Sequence, residues 1–217
     1  MKTAELSRGV PEKEGYVMFN QDSTFMTILN KAADMVILSV LWCVCSLPLL
    51  TIGASSSALY HTAVKVIRQG RGYAFSTFLA SFRQNLKQTI PLTLLLAAFY
   101  AALGAGIYLL WPQTESMFAN IYIIFSLLCI LVLLTAQLHL FPLIGRLRLN
   151  RRELITVLTR LVFGHLGKNF LLVCLLACAV EAGIYYPPLL FIVPAGFSLL
   201  GSFLQEPMFH RHINYED

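Results

Sequence analysis

The stretch SLPLLTIGASSSALYHT, residues 46–62, interrupts one of the most apolar parts of the chain. Pro48 lacks a backbone donor and disfavours a continuing helix, and Gly53 and three serines follow it. We interpret the stretch as the end of one helix near Pro48 and the start of a second from about Thr51. Small residues let helix backbones approach closely in a membrane, so the composition favours close contact between helices. A substrate site at the break in the backbone is the alternative interpretation.

The composition around this stretch is that of a membrane protein. Of the 217 residues 57% are hydrophobic and only 12% are charged, whereas soluble domains carry roughly 25% charged residues. Apolar clusters lie near residues 35–60, 90–111, 118–144, 170–186 and 189–204. Since a span needs about 20 apolar residues, we predict an all-α, polytopic membrane helix bundle.

The number of crossings depends on Pro48. If residues 35–60 form one span, five crossings leave the N-terminus outside; if the chain turns at residues 48–53, six crossings leave it in the cytoplasm. We favour six. We expect no removable signal in residues 1–34, which lack an apolar core followed by a cleavage site. The predicted domains are a polar segment 1–22, one transmembrane helical domain 23–209 and a tail 210–217.

The placement of charge predicts the orientation. Residues 61–88 hold five basic residues and residues 146–168 hold six, together eleven of the sixteen in the chain. The connections 111–120 and 185–188 carry only Glu115. The positive-inside rule then places both basic loops and the C-terminus in the cytoplasm of a cell-membrane protein.

Both basic loops have the periodicity of amphipathic helices. In residues 72–91 the apolar positions are Phe75, Phe78, Leu79, Phe82 and Leu86. In the second loop they are Leu154, Ile155, Leu158, Leu161 and Val162. Such helices suit the anionic headgroups of membrane lipids or a protein partner, and nucleic acid is not an expected partner. The candidate contact residues are Arg83, Lys87, Arg148, Arg151 and Arg152.

Polar residues inside apolar clusters are candidate functional residues, because charge in the bilayer is costly. They are Asp34, His61, Gln137, His139 and Glu181. Gln137 and His139 are the candidates for a polar pathway. A structural role is the alternative for them. Pro142 leaves the carbonyl of Leu138 without a backbone donor. Polar side chains on the preceding turns, those of Thr135, Gln137 and His139, could satisfy the broken backbone.

No sequence pattern indicates catalysis, a cofactor or a metal. Hydrolase, nucleotide-binding and zinc-protease motifs are missing, and we predict a non-enzymatic protein with no catalytic, cofactor-binding or metal-ligating residue. The five cysteines lie in apolar clusters and are expected to pack as small hydrophobes. Gly104 and Gly106 are expected to permit close helix contact.

Four segments carry a resemblance to a known family. They are LWCVCSLPLLTIGASSSALYHTAVKVIR (41–68), FSTFLASFRQNLKQT (75–89), LHLFPLIGRL (138–147) and PAGFSLLGSFLQEPMF (194–209). In this order they resemble the YesL-like integral membrane proteins of unknown function, over roughly residues 18–212. Members occur chiefly in Gram-positive bacteria, often encoded beside sugar ABC transporters, glycoside hydrolases and two-component regulators.

The resemblance implies an accessory or regulatory part in ABC-type uptake of oligosaccharides, with components of a sugar transporter as partners. An alternative is a small autonomous transporter or channel, with a polar pathway near the broken first helix, Gln137 and His139. The sequence predicts no oligomeric state. A membrane enzyme is the third hypothesis, and it requires converging ionisable side chains.

Overall fold

The computed structural model describes the backbone of residues 15–113, 116–147 and 150–212, and the side chains of residues 25–112, 116–147, 150 and 152–209. Every regular element in these ranges is a helix, as predicted. The main helices are α1 Gly15–Ser46, α2 Ile52–Thr62, α3 Ala74–Leu110, α4 Met117–Arg146, α5 Arg151–Gly164, α6 Leu166–Tyr185 and α7 Val193–His212. A π-helical segment, Ala63–Arg68, continues α2.

Four helices are long and apolar enough to cross a membrane. The spans are Phe25–Ser46 within α1, the whole of α3, the whole of α4 and the whole of α6. The chain therefore has the character of a membrane-helix protein, as its composition predicted. Among the described residues, α2 and α7 fall outside this criterion.

The break at Pro48 lies where the sequence predicted it. α1 ends at Ser46, Pro48 is extended with φ −74° and ψ 114°, and a single tight turn, Leu49–Thr51, leads into α2. The Thr51 hydroxyl bridges the break, with the carbonyl oxygens of Cys45 and Pro48 at 2.6 and 2.8 Å. The Pro48 carbonyl also accepts from the Thr51 N–H at 2.9 Å, so the hydroxyl is available to the Cys45 carbonyl, which the ending helix leaves without a donor.

The chain divides into two compact units, residues 1–33 and 34–217. The described part of the first is the opening half of α1, with exposed apolar side chains such as Phe25 and Ile28. The second unit contains two clusters of buried apolar side chains. One joins α2, α4, α5 and α7 around Tyr60 and Leu143, and the other joins α1, α2, α3 and α7 around Leu38 and Phe78.

α2 contributes to both clusters and is the central helix of the second unit. Eight of its eleven residues are buried. Small residues make this possible: a Cβ added at Gly145 of α4 would lie 2.5 Å from the carbonyl oxygen of Ser57. Gly53 lies against Thr93 of α3 and Phe141 of α4. The predicted use of small residues for close helix contact in residues 46–62 is therefore confirmed.

The other two glycines of this prediction behave differently. Gly106 faces the ring of Tyr122 on α4, so the absence of a side chain there permits contact. Gly104 has no heavy atom within 4 Å of an added Cβ, and the prediction of close packing was wrong at this position.

The first basic loop and the following span form one helix. α3 has 37 residues, and a rise of about 1.5 Å per residue makes it roughly 55 Å long, well beyond the ~30 Å hydrocarbon thickness. Pro91 lies inside α3 without ending it. Phe78 is buried, Phe82 is partly buried and Phe75 is 58% exposed, so the predicted apolar face lies partly in the bundle and partly at the surface.

The second predicted amphipathic helix is α5. Leu154, Leu161 and Val162 are buried, in agreement with the periodicity. Ile155 is 64% exposed and Val157 is buried. Positions 154, 157 and 161 therefore face the bundle, and Ile155 lies on the exposed side of the helix.

Candidate functional site

The C-terminal ends of three helices meet at an ion pair. Arg146 of α4 donates through Nε and Nη2 to the two carboxylate oxygens of Glu206 on α7, at 2.9 and 2.8 Å. The Tyr60 hydroxyl of α2 donates to Oε1 of Glu206 at 3.4 Å. Glu206 is only 5% exposed, and a buried carboxylate needs such partners. We call these three residues the junction.

The N-terminal part of α3 reaches the same region. Asn85 Nδ2 donates to the hydroxyl oxygen of Ser57 on α2 at 2.8 Å. Arg68, at the end of the π-helical segment, lies with its guanidinium carbon 4.7 Å from the ring centroid of Phe203 on α7. The structure thus brings Arg68 of the π-helical segment and Arg146 of α4 close to Tyr60 at one end of the second unit, where the N-terminal part of α3 also lies. We call this region the basic end.

Pro142 lies inside α4, and the carbonyl of Leu138 does receive a replacement donor. The donor is Gln205 of α7, whose Nε2 lies 2.8 Å from that oxygen. The side chains suggested by the sequence do not fill this role: Thr135 donates to Leu131, and Gln137 and His139 bond to other helices. Gln205 is 2% exposed, so α7 supplies a buried side chain to the proline-broken turn.

His139 belongs to a separate polar cluster. Its Nε2 lies 2.9 Å from Oδ1 of Asn169 on α6. Asn169 Nδ2 donates to the carbonyl oxygens of Leu161 and Val162, near the end of α5. Because the amide nitrogen of Asn169 is a donor there, Oδ1 accepts and His139 Nε2 carries the proton. The cluster holds α4, α5 and α6 together.

Gln137 faces another direction. Tyr100 of α3 donates its hydroxyl to Oε1 of Gln137 at 3.1 Å. Two residues along a helix differ by roughly 200° around its axis, so Gln137 and His139 lie on nearly opposite sides of α4. The structure does not bring the two candidate pathway residues together.

Gln137 lines a cavity of about 490 Å³ between α1, α2, α4, α6 and α7. Its lining is mostly apolar and includes Trp42, Phe141 and Phe197, with Ser56 and Gln205 among the few polar members. Oε1 of Gln205 is buried without a hydrogen-bond partner. His139 is not part of the lining.

The other polar candidates are dispersed. Asp34 is half-buried on α1, His61 is half-buried near the end of α2, and Glu181 is exposed on α6. His61 lines a second, polar pocket of about 420 Å³ at the basic end, between α2, α3 and the end of α4. Lys65, Asn85 and Arg146 share that lining.

The candidate lipid or partner contacts stand at the surface where they are described. Arg83, Lys87 and Arg152 are exposed. Arg148 and the side chain of Arg151 lie outside the described residues. Within the described part of the chain, no three His, Cys, Asp or Glu residues are grouped to hold a metal. The five cysteines form no disulfide, and four of them are partly buried.

Sequence reasoning missed Gln205, Glu206 and Asn169. Each is a polar residue of an apolar helix, the same signal that singled out Gln137 and His139. Gln205 and Glu206 directly follow the last apolar cluster, residues 189–204. Their partners are 60 or more residues away in the sequence, so local spacing carried no sign of the contacts.

Comparison with known proteins gives one match. The sequence model of a family described as a protein of unknown function, DUF624, matches residues 35–107, about a third of the chain. This region covers most of α1 after the first unit, α2 and nearly all of α3, and it includes the stretch broken at Pro48. The match is compatible with the resemblance seen in the sequence. No curated protein and no solved structure matches the chain.

Proposed function

We propose that the chain is a non-enzymatic multi-pass protein of the cell membrane, acting as an accessory component of ABC-type carbohydrate uptake. The observation that carries the proposal is the composition of the exposed faces of α3 and α5. Phe75 and the cation Arg83 are exposed on α3, and Ile155, Phe163 and the cation Arg152 are exposed on α5. A surface of this composition suits lipid headgroups and a protein partner.

Six crossings fit this arrangement better than five. The junction puts the C-terminal ends of α2, α4 and α7 at one end of the unit, which requires α2 to run in the same direction as α4. α2 with its π-helical segment has 17 residues, and the burial of α2 among its neighbours lets a short helix cross. The basic end is then cytoplasmic, and so is the C-terminus.

The resemblance to YesL-like proteins supplies the carbohydrate connection, and the match to a family of unknown function is compatible with it. The exposed faces of α3 and α5 supply the physical means of contact. On this proposal, anionic lipids and the membrane or nucleotide-binding subunits of a sugar transporter are the partners.

Cross-linking in membranes tests the accessory role. Tagged protein from cells grown on a plant polysaccharide is expected to recover transporter subunits. The double variant Arg152→Glu/Arg160→Glu is expected to reduce this recovery several-fold, since both side chains are exposed. Arg152→Lys/Arg160→Lys keeps the charge and is the matched control. Recovery of no transporter subunit, together with normal sugar growth after gene deletion, would contradict the proposal.

An autonomous transporter or channel is the second candidate function. The observation in its favour is the 490 Å³ cavity, which lies beside the break at Pro48 and is lined by Gln137. Its mostly apolar lining offers few hydrogen-bond partners for sugar hydroxyls, which ranks this candidate second.

Flux through reconstituted protein separates the two candidates. A transporter is expected to move an ion or a small solute in proteoliposomes, and Gln137→Leu is expected to change the rate. Leu134→Ile alters the same lining without removing a polar group and is the control. Absence of flux for sugars, ions and protons would remove this candidate.

A further inference from the structure

The polar pocket at the basic end differs in chemistry from the apolar cavity. It lies where the end of α2, the first three turns of α3 and the last turn of α4 come together, and it encloses about 420 Å³. Hydroxyl, amide, imidazole and cationic side chains line it, and the described residues of the lining include no carboxylate. A lining of donors with positive charge suits an anion.

Two side chains supply charge to the pocket. Arg146 is already engaged by Glu206, so this pair contributes little net charge. Lys65 is exposed at the pocket and its ammonium brings an additional positive charge. The first turn of α3, at Ser76 and Thr77, also lines the pocket, and the leading N–H groups of a helix add partial positive charge.

Hydrogen-bonding capacity in the pocket exceeds what the protein uses. His61 is held in the lining by a hydrogen bond to the backbone of Gly145, and its other ring nitrogen, Nδ1, is buried, so the ring adds no donor for a ligand. Ser81 is 8% exposed, and its oxygen accepts from Asn85 Nδ2 at 3.3 Å, so its own O–H remains as a donor. A tetrahedral oxyanion presents several acceptor oxygens in different directions, which matches donors on two helices.

We propose that this pocket binds a phosphoryl group, with Lys65 supplying the charge and Ser81 a directional hydrogen bond. The phosphoryl group belongs to the headgroup of an anionic lipid or to a soluble phosphate ester. Arg83 precedes the pocket residue Gln84 by one position on α3 and Lys87 follows it by three, and both increase the local attraction for either source.

Binding to the purified full chain in maltoside detergent, which contains no phosphate, tests the site. One arm titrates glycerol 3-phosphate by calorimetry. The other adds phosphatidylglycerol in mixed micelles and measures retained lipid by native mass spectrometry. We expect binding in at least one arm, and the arm that responds identifies the source. Binding in neither arm would overturn the proposal.

Variants separate a specific site from general attraction. Lys65→Gln is expected to weaken binding about tenfold, the effect of losing one charge-assisted hydrogen bond. Lys168→Gln removes the same charge from an exposed position outside the pocket lining and is expected to change binding less than about twofold. Equal losses in the two variants would show non-specific attraction and overturn the proposal.

A third variant blocks the space without removing a polar group. Ala80 is exposed and lines the pocket, so Ala80→Phe places a ring in it while Lys65 stays. We expect this variant to keep its thermal unfolding midpoint and to lose binding. Unchanged binding in folded Ala80→Phe would place the ligand elsewhere, and this variant decides the matter if Lys65→Gln does not fold.

Discussion

At the scale of single residues, buried polar side chains of α7 form hydrogen bonds and an ion pair with α4. Gln205 donates a hydrogen bond to the carbonyl oxygen of Leu138, which Pro142 leaves without its helical donor. Glu206 forms an ion pair with Arg146 at the end of α4. In hydrocarbon an unsatisfied polar group costs roughly several kcal/mol of free energy. Both contacts therefore stabilise one position of α7 relative to α4. Both contacts make quantitative predictions.

The first prediction concerns the proline break. Gln205→Leu leaves the Leu138 carbonyl without a donor, and we expect a loss of about 1–3 kcal/mol in the free energy of unfolding. Pro142→Ala restores a backbone N–H within reach of that carbonyl. Gln205→Leu should therefore cost less in the Pro142→Ala background.

The measurement is a double-mutant cycle of four proteins: the parent chain, Gln205→Leu, Pro142→Ala and the double variant. Thermal and denaturant unfolding in detergent gives the free energy of coupling between the two positions. An equal cost of Gln205→Leu with and without Pro142 would show that Gln205 does not act through the Leu138 carbonyl.

The second prediction concerns the junction. Arg146→Ala strands the buried carboxylate of Glu206, and we expect a destabilisation of about 3–5 kcal/mol. Arg146→Met/Glu206→Gln removes both charges and should recover much of this loss, because no uncompensated charge remains. Unfolding midpoints of the two variants provide the measurement. A double variant no more stable than Arg146→Ala would contradict the assignment of the loss to the stranded charge.

At the scale of elements, α2 depends on close contact with its neighbours. It is shorter than the four helices of membrane-spanning length and buries most of its residues, so its position rests on backbone approach to α4 at Gly145 and on packing of Gly53 between α3 and α4. Without a hydrophobic drive between helices in lipid, such contact is a main source of helix association.

The third prediction follows from this contact. Gly145→Ala places a methyl group against the Ser57 carbonyl and should force α2 and α4 apart, at a cost of about 1–3 kcal/mol. Gly104→Ala, in the same type of element but facing open space, is the control and should be neutral or stabilising by up to about 1 kcal/mol. Thermal midpoints in detergent compare the two. Equal effects would show that the α2–α4 approach is not specific.

Most elements of the fold were predictable from local sequence, and most contacts of the site were not. The break at Pro48, the helix starting after Thr51 and the amphipathic α5 follow from proline chemistry and periodicity. The union of residues 74–110 into one helix was missed, because the change from amphipathic to apolar pattern near Pro91 looks like a boundary. The exposure of Ile155 was not predictable, because periodicity gives the apolar face of a helix but not which part of that face packs against the bundle.

The polar contacts depend on which helices become neighbours. Because Pro142 has no backbone N–H, the sequence already predicted that the Leu138 carbonyl needs another donor. The identity of the donor was not predictable, since Gln205 reaches it only once α7 packs against α4. The contacts of Asn169 were unpredictable for the same reason, since it hydrogen-bonds both to His139 on α4 and to the Leu161 carbonyl near the end of α5.

At the scale of the whole molecule, charge and contact support the proposed orientation. Lys65 and Arg68 of the first basic loop and Arg146 of the second lie at the basic end, where the junction joins α2, α4 and α7. The exposed aromatic residues Trp111, Tyr185 and Tyr186 belong to the connections without basic residues. Aromatic rings with a polar atom favour a membrane interface, so these connections suit the opposite, outer side.

The last prediction tests this orientation at both sides of the membrane. In a cysteine-free background, Ser7→Cys is expected to resist a membrane-impermeant maleimide in intact cells and to react after permeabilisation, because six crossings put the N-terminus inside. Tyr186→Cys, in the exposed connection after α6, is the control and should react in intact cells. Reaction of both cysteines in intact cells would leave five crossings. In that case α2 would not cross the membrane, although its central position in the bundle would remain. Protection of both cysteines would show instead that the α6–α7 connection does not face outward, and the positive-inside argument would fail for this chain.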